Sequence, residues 1–225
     1  MSAPLVVLDF DGTLCLGHDP ARMVAQEADA DGRLGLASLL DRWVQGDASV
    51  APGAADGYQA VSRAALAAGL PAEALQAAFL RARTRLAAGE GSIWAPVGAL
   101  KLLGALRRTA RVIIVTNSPT GSTLAVLARL GLDHAADAVV GDAAKPGGLV
   151  AAIRAIAPEL PSARMLAVGD IWTNDCEPVH GIGGSTCHLS RAPHPAATMH
   201  GPSLTAVADR LLAWAILPSG EQSVS

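Results

Sequence analysis

The chain has 225 residues, of which 51% are hydrophobic and 16% charged. That supply of apolar side chains covers the core of one large domain, or of a domain carrying a smaller insertion, and it excludes a wholly disordered polypeptide. The formal net charge of −3 gives no basic field for a nucleic acid polymer or an anionic membrane surface, so neither is expected as a partner.

Three cysteines, Cys15, Cys176 and Cys187, are scattered and odd in number, with no C-x-x-C spacing. A disulfide framework or zinc site is not expected, and a cytoplasmic, reducing location is. In chain order, Leu5-Val6-Val7-Leu8 is a short apolar run closed by Asp9-Phe10-Asp11-Gly12-Thr13-Leu14. It reads as a buried strand of a parallel sheet. It is too short, and lacks the basic flanks, for a signal peptide or a membrane span. The next strand, residues 111–116, lies about ninety residues on, far more than a strand-to-helix connection needs. The intervening segment reads as helices. Leu36, Leu39, Leu40, Trp43 and Val44 share one helical face, and so do Leu75, Ala78, Phe79, Ala82 and Leu86. Gly53, Gly69-Leu70-Pro71 and Gly89-Glu90-Gly91 punctuate them.

Beyond Pro96 the pattern alternates. Helices are predicted over residues 97–108, 120–130, 148–157, 174–180 and 203–214, with Ser203 as an N-cap. Strands are predicted at 138–140, 165–168 and 186–189, and residues 190–202 read as loop. Alternation of this kind implies right-handed crossovers and a parallel sheet. The expected fold is α/β, a Rossmann-like three-layer core with an inserted helical domain. Residues 1–15 and 92–218 form the core, 16–91 the insertion, and 219–225 a frayed tail.

Four polar signals fall at predicted strand ends: Asp9 with Asp11; Thr116-Asn117-Ser118; Lys145-Pro146; and Gly169-Asp170, continuing to Asn174-Asp175. In a parallel sheet they converge on the rim where open α/β folds bind ligands. Taken singly, each has a plain reading. Asp-x-Asp-Gly is often a capped turn, a Thr that ends a strand often packs, and a Lys-Pro is often solvated surface. Lys145 is one of only two lysines; the other, Lys101, falls on a predicted helix.

Together and in this order, the four resemble the motifs of the haloacid dehalogenase-like (HAD) superfamily, specifically its aspartate-nucleophile phosphatases with a helical cap. D-x-D-G-T stands at Asp9 to Thr13 and G-D-x-x-x-N-D at Gly169 to Asp175. Pro96-Val97-Gly98-Ala99-Leu100 resembles the segment by which the family re-enters its core. The resemblance implies a Mg²⁺ cofactor, held by Asp9 and Asp170 through side chains and by Asp11 through its carbonyl, with Asp175 a further ligand or an orienting partner. It implies that Asp9 attacks phosphorus and that Asp11 works as acid, then base. Lys145 and Thr116 would bind the phosphoryl group, with backbone N–H groups around Asp11, Gly12 and Asn117 completing the cradle.

The implied function is Mg²⁺-dependent hydrolysis of a small-molecule phosphate monoester, in the manner of phosphoglycolate phosphatase. The family's dehalogenases lack the second aspartate, and its phosphonate hydrolases use a cap lysine, whereas residues 15–95 contain no lysine. A sugar phosphomutase and a non-catalytic phosphate-binding protein remain as alternatives. His18, at the expected hinge, is near the phosphate in this reading; Trp172 is either packing or a wall of the pocket. The stretch Gly147-Gly148 and Pro178 depart from the family pattern and predict local irregularity. Oligomeric state is not readable from the chain.

Overall fold

The computed structural model describes residues 3–218, so the tail at 219–225 lies outside the described residues. Six strands form one parallel sheet: β1 (Leu5–Leu8), β2 (Arg111–Val115), β3 (Ala138–Val140), β4 (Met165–Gly169), β5 (Ser185–Leu189) and β6 (Met199–Gly201). Their order is β3-β2-β1-β4-β5-β6. β1 therefore lies between β2 and β4, with Leu8 opposite both Ile114 and Val168. The chain builds outward one way through β2 and β3, then reverses through β4, β5 and β6. That reversal is a topological switch point, and its crevice opens at the carboxyl ends of β1 and β4.

β1, β2 and β4 are chiefly apolar because both of their faces are covered. All four side chains of β1 are buried, each contributing roughly 1.5–3 kcal/mol of transfer free energy. Leu5, Val7, Ile113, Val115, Met165 and Ala167 point to one face and pack with Leu149, Ile153 and Val179. These last come from α7 (Leu149–Ile156) and α8 (Glu177–Gly181). On the opposite face α9 (Leu204–Ile216) anchors through Trp214, whose indole N–H donates to Ser185 Oγ at 3.1 Å, and α9 packs on α5 (Ala99–Leu106). Helix, sheet and helix make three layers. α6 (Thr120–Arg129) completes the core set beside β3.

Boundaries differ from expectation for identifiable reasons. α5 starts at Ala99, because Gly98 has φ +79°, outside the helical region. Ser203 caps α9 as predicted, its Oγ accepting the Ala206 N–H at 3.3 Å. The segment 190–202 is not all loop, since β6 pairs with β5 through Cys187↔Met199. Three residues at a sheet edge carry no periodic signal, so the pairing comes from tertiary context. All three cysteines are buried, with no disulfide among the described residues. No helix among the described residues is long and apolar enough to cross a membrane.

The chain divides into two compact units, one made of the residues up to Leu16 and from Trp94 onward, the other Gly17–Ile93. Leu16 and Trp94 exchange two backbone hydrogen bonds at 2.9 and 3.1 Å, so the insertion leaves and returns at one point. It consists of α1 (Asp19–Ala28), α2 (Leu36–Val44), α3 (Gly57–Ala67) and α4 (Ala72–Ala87). Its core is built mainly from Val24, Leu36, Leu40, Val61 and Leu86, with many alanines. A Cβ at Gly57 would come within 3.1 Å of both Ala21 and Leu40, so glycine lets α3 start against α1 and α2. Arg83 is buried and donates to Tyr58 Oη at 3.1 Å.

Candidate active site

The carboxyl ends of the three central strands place the first residues. Asp9 follows β1, its N–H donating to the Val168 carbonyl at 2.9 Å. Thr116 follows β2, and Asp170 follows β4. After Asp9 the chain turns tightly, with the Phe10 carbonyl accepting from Leu14 and Cys15 at 2.8 and 2.9 Å. Gly12 sits in this turn at φ +92°, and a Cβ there would lie 2.3 Å from Asp170 Oδ2. Both the conformation and the space demand glycine. The first and fourth motifs are thus in direct apposition.

Asp9, Asp170 and Asp175 each bring a carboxylate oxygen within 4.8 Å of the others. Asp175 comes from a π-helical turn over Trp172–Cys176. Its Oδ2 accepts the Ile171 N–H at 3.0 Å, and a Cβ at Gly169 would lie 2.3 Å from its own Cβ. Into this group reaches Lys145, whose Nζ donates to Asp9 Oδ1 at 2.6 Å and Asp175 Oδ1 at 2.7 Å. Its side chain is 4% exposed. Burial alone would depress the ammonium pKa, but the charges of Asp9 and Asp175 outweigh it, so Lys145 stays cationic. Burial, opposed by Lys145 and reinforced by Asp175, pushes the Asp9 carboxyl up to about 7.

Asp9 Oδ2 is buried and makes no hydrogen bond. A buried carboxylate oxygen without a donor is costly. Three carboxylates share one ammonium, and hard cations favour such oxygens. The donor set therefore fits a divalent metal ion.

The remaining expected residues are also here. Thr116 is buried, and its Oγ1 accepts the Ser118 N–H at 3.1 Å. Asp11 is half-buried, and its Oδ2 accepts from Ser118 Oγ at 2.7 Å. Asn117, expected to contribute its backbone N–H, also grips the Lys145 main chain with its side-chain amide. Its Oδ1 accepts the Lys145 N–H at 2.6 Å, and its Nδ2 donates to the Lys145 carbonyl at 3.2 Å. The Lys145 loop needs holding, because Asp142 and Ala144 take left-handed φ of 51° and 49°, a strain of about 1 kcal/mol or more each. Gly148, one of the departures from the family pattern, has a reason: a Cβ there would meet the Ala143 carbonyl oxygen at 2.0 Å. Pro178 likewise coincides with the irregularity expected, the π turn giving way to the short α8.

Ser118 and the Asn117 side chain escaped sequence reasoning, although Thr116-Asn117-Ser118 marked the segment. Trp172 is buried and stacks on His194, with centroids 4.0 Å apart and planes at 9°, so it packs. His18 is exposed at the start of α1, without a side-chain capping bond.

The chain belongs to the haloacid dehalogenase-like hydrolase family, which it matches over residues 3–183. Solved structures with the same fold include a haloacid dehalogenase-like family hydrolase from Xanthomonas campestris, 20% identical, covering 95% of this chain and 93% of that one, with TM-score 0.60. A predicted phosphoglycolate phosphatase from Haemophilus somnus is 18% identical, with coverage of 92% and 97% and TM-score 0.66. CbbY from Rhodobacter sphaeroides, solved with phosphate, is 18% identical, with coverage of 92% and 96% and TM-score 0.65. Dehalogenases are also among the matching structures. No curated protein matches the chain.

Proposed function

We propose that this hydrolase is a Mg²⁺-dependent phosphatase acting on a small phosphate monoester through an aspartyl-phosphate on Asp9. The observation that carries the reading is the pair Asp9 and Asp11. Asp9 is held by the Lys145 ammonium, while two residues on Asp11 is held separately by Ser118. Two carboxylates with different partners suit two different roles. Displacement of halide needs no proton donor for its leaving group, so a second, separately held aspartate favours an ester substrate.

Asp9, Asp170 and Asp175 would hold the ion, with Asp11 expected to add its carbonyl. When bound, it neutralises phosphoryl charge and orients the ester. In the first step an Asp9 oxygen bonds to phosphorus as the ester P–O bond breaks, and Asp11 gives its proton to the departing alkoxide. In the second, Asp11 takes a proton from water, whose oxygen bonds to phosphorus. The bond from phosphorus to Asp9 breaks, and inorganic phosphate leaves. Lys145 offsets phosphoryl charge throughout, and the Thr116 hydroxyl and backbone N–H groups around Asp11 and Asn117 donate to the remaining oxygens, the Gly12 N–H being taken by the Cys15 carbonyl at 2.9 Å. The helical unit Gly17–Ile93 serves as a cap in this reading and sets the substrate, with phosphoglycolate, sugar phosphates and nucleotide monophosphates as the classes to try. The scattered cysteines, outside any disulfide among the described residues, support a cytoplasmic setting.

The test is release of inorganic phosphate from p-nitrophenyl phosphate and a phosphate-ester panel, with and without Mg²⁺. Activity is expected with the metal and is lost in Asp9→Asn and Asp11→Asn. Full activity in Asp9→Asn removes the covalent route. Phosphate moved between sugar positions without release indicates a mutase, and inertness across the panel a binding protein.

A further inference from the structure

β5 carries a residue that no motif marks. In the pairing of β4 with β5, Gly169 stands opposite His188, so the imidazole lies beside the residue that precedes Asp170. His188 is 7% exposed. Its Nε2 is 3.1 Å from the Asp170 carbonyl oxygen, and its Nδ1 is 3.1 Å from the backbone nitrogen of His194. A carbonyl can only accept and a backbone N–H can only donate. Both bonds are made together only by the neutral ring carrying its proton on Nε2. His188 thus donates to Asp170 and accepts from His194.

The far end of this link is anchored. The His194 ring stacks on Trp172, and Trp172 also meets His188 edge-on, with centroids 5.9 Å apart. Trp172 lies between Asp170 and Asp175 in the chain. The acidic loop is therefore tied to β5 at its first aspartate and packed against the 190–198 segment at its middle.

We propose that His188 is a positioning residue for the cation, and this rests on reading Asp9, Asp170 and Asp175 as the metal site. By fixing the Asp170 carbonyl, it sets the direction in which that carboxylate leaves β4. The bond uses the main chain, so His188 takes no carboxylate oxygen from the ion. Partners of this kind, one shell out from a metal, typically change affinity 10–100-fold when removed.

Two variants separate the two bonds. Gln at position 188 can place its amide N–H where Nε2 stands and keep the bond to Asp170. Asn can place its amide oxygen where Nδ1 stands and keep only the bond from His194. Mg²⁺ is titrated by calorimetry into the metal-free full-length protein. Wild type is expected to bind, His188→Asn to bind about 10–100-fold more weakly, and His188→Gln to stay within about threefold. Unfolding midpoints in EDTA separate this from a packing role, which would lower both midpoints and leave the affinities equal. Wild-type affinity in His188→Asn, or equal weakness in both variants, overturns the assignment. Failure of wild type to bind Mg²⁺ overturns the metal reading itself. Nitrogen-15 NMR of the wild-type imidazole needs no variant: the Nε2–H tautomer should be present, and its resonance should shift with Mg²⁺ at the binding midpoint. An Nδ1–H tautomer, or an unmoved resonance, also refutes the role.

Discussion

Replacing Lys145 with Met keeps the length of the side chain and removes its charge. The ammonium is held at 2.6 and 2.7 Å by Asp9 and Asp175, with 4% of the side chain exposed. Removing one partner of such a buried group leaves uncompensated charge and costs about 3–5 kcal/mol. For a chain of this size, each kcal/mol moves the midpoint by about 2–4 °C, so Lys145→Met should unfold about 6–20 °C lower in EDTA at pH 8. Protonation offsets part of that cost. Asp9 already titrates near 7, mainly through burial, and loss of Lys145 raises it further. A carboxyl raised above its unfolded value contributes stability at low pH that is lost as pH rises through the folded value. The deficit should therefore be largest above pH 7 and shrink towards pH 5. Added Mg²⁺ should shrink it too, because it supplies positive charge to the same carboxylates. Thermal unfolding by circular dichroism, at pH 8 and 5, each in EDTA and in Mg²⁺, measures all four cases. A deficit that ignores both pH and Mg²⁺ would refute the electrostatic account and leave only lost packing.

Gly169→Ala puts a Cβ 2.3 Å from Asp175 Cβ, so Asp175 must move by on the order of 1 Å, which should lower Mg²⁺-dependent turnover about 100-fold. Overpacking should cost about 1–3 kcal/mol in urea unfolding; near-normal turnover would show that the position of Asp175 is unimportant. Ser118→Ala deletes the 2.7 Å bond to Asp11 and should lower kcat about 10–100-fold for alkyl phosphates, at about 1 kcal/mol of stability. The loss should be smaller for p-nitrophenyl phosphate, whose leaving group needs no proton; equal losses on both substrates would exclude a role through the acid step.

The elements most legible in the sequence were those whose physics is local. β1, β2 and β4 announce themselves because each is a near-continuous apolar run. α2 and α4 carry large apolar residues at helical spacing, whereas the buried face of α3 is Gly57, Ala60, Val61 and Ala65, mostly residues too small to mark it. β6 is three edge residues that pair only because β5 is already there. The acidic residues and Lys145 were legible as motifs. The hydroxyl of Ser118, the amide of Asn117 and the ring of His188 were not, because their partners Asp11, Lys145 and Asp170 lie 107, 28 and 18 residues away. Only strand order and register bring those pairs together.

The order of the sheet also bears on how the chain is made. β1 lies between β2 and β4, yet β2 begins at Arg111 and β4 at Met165. At a synthesis rate of about 5–20 residues per second, Leu5–Leu8 would wait roughly 5–20 s for its first neighbour. Through that interval the ribosome would carry a bare, greasy tetrapeptide ahead of a helical segment able to condense early from local contacts. A nascent chain arrested anywhere short of residue 165 would leave that strand with an open flank, a natural foothold for a chaperone or for another unfinished chain.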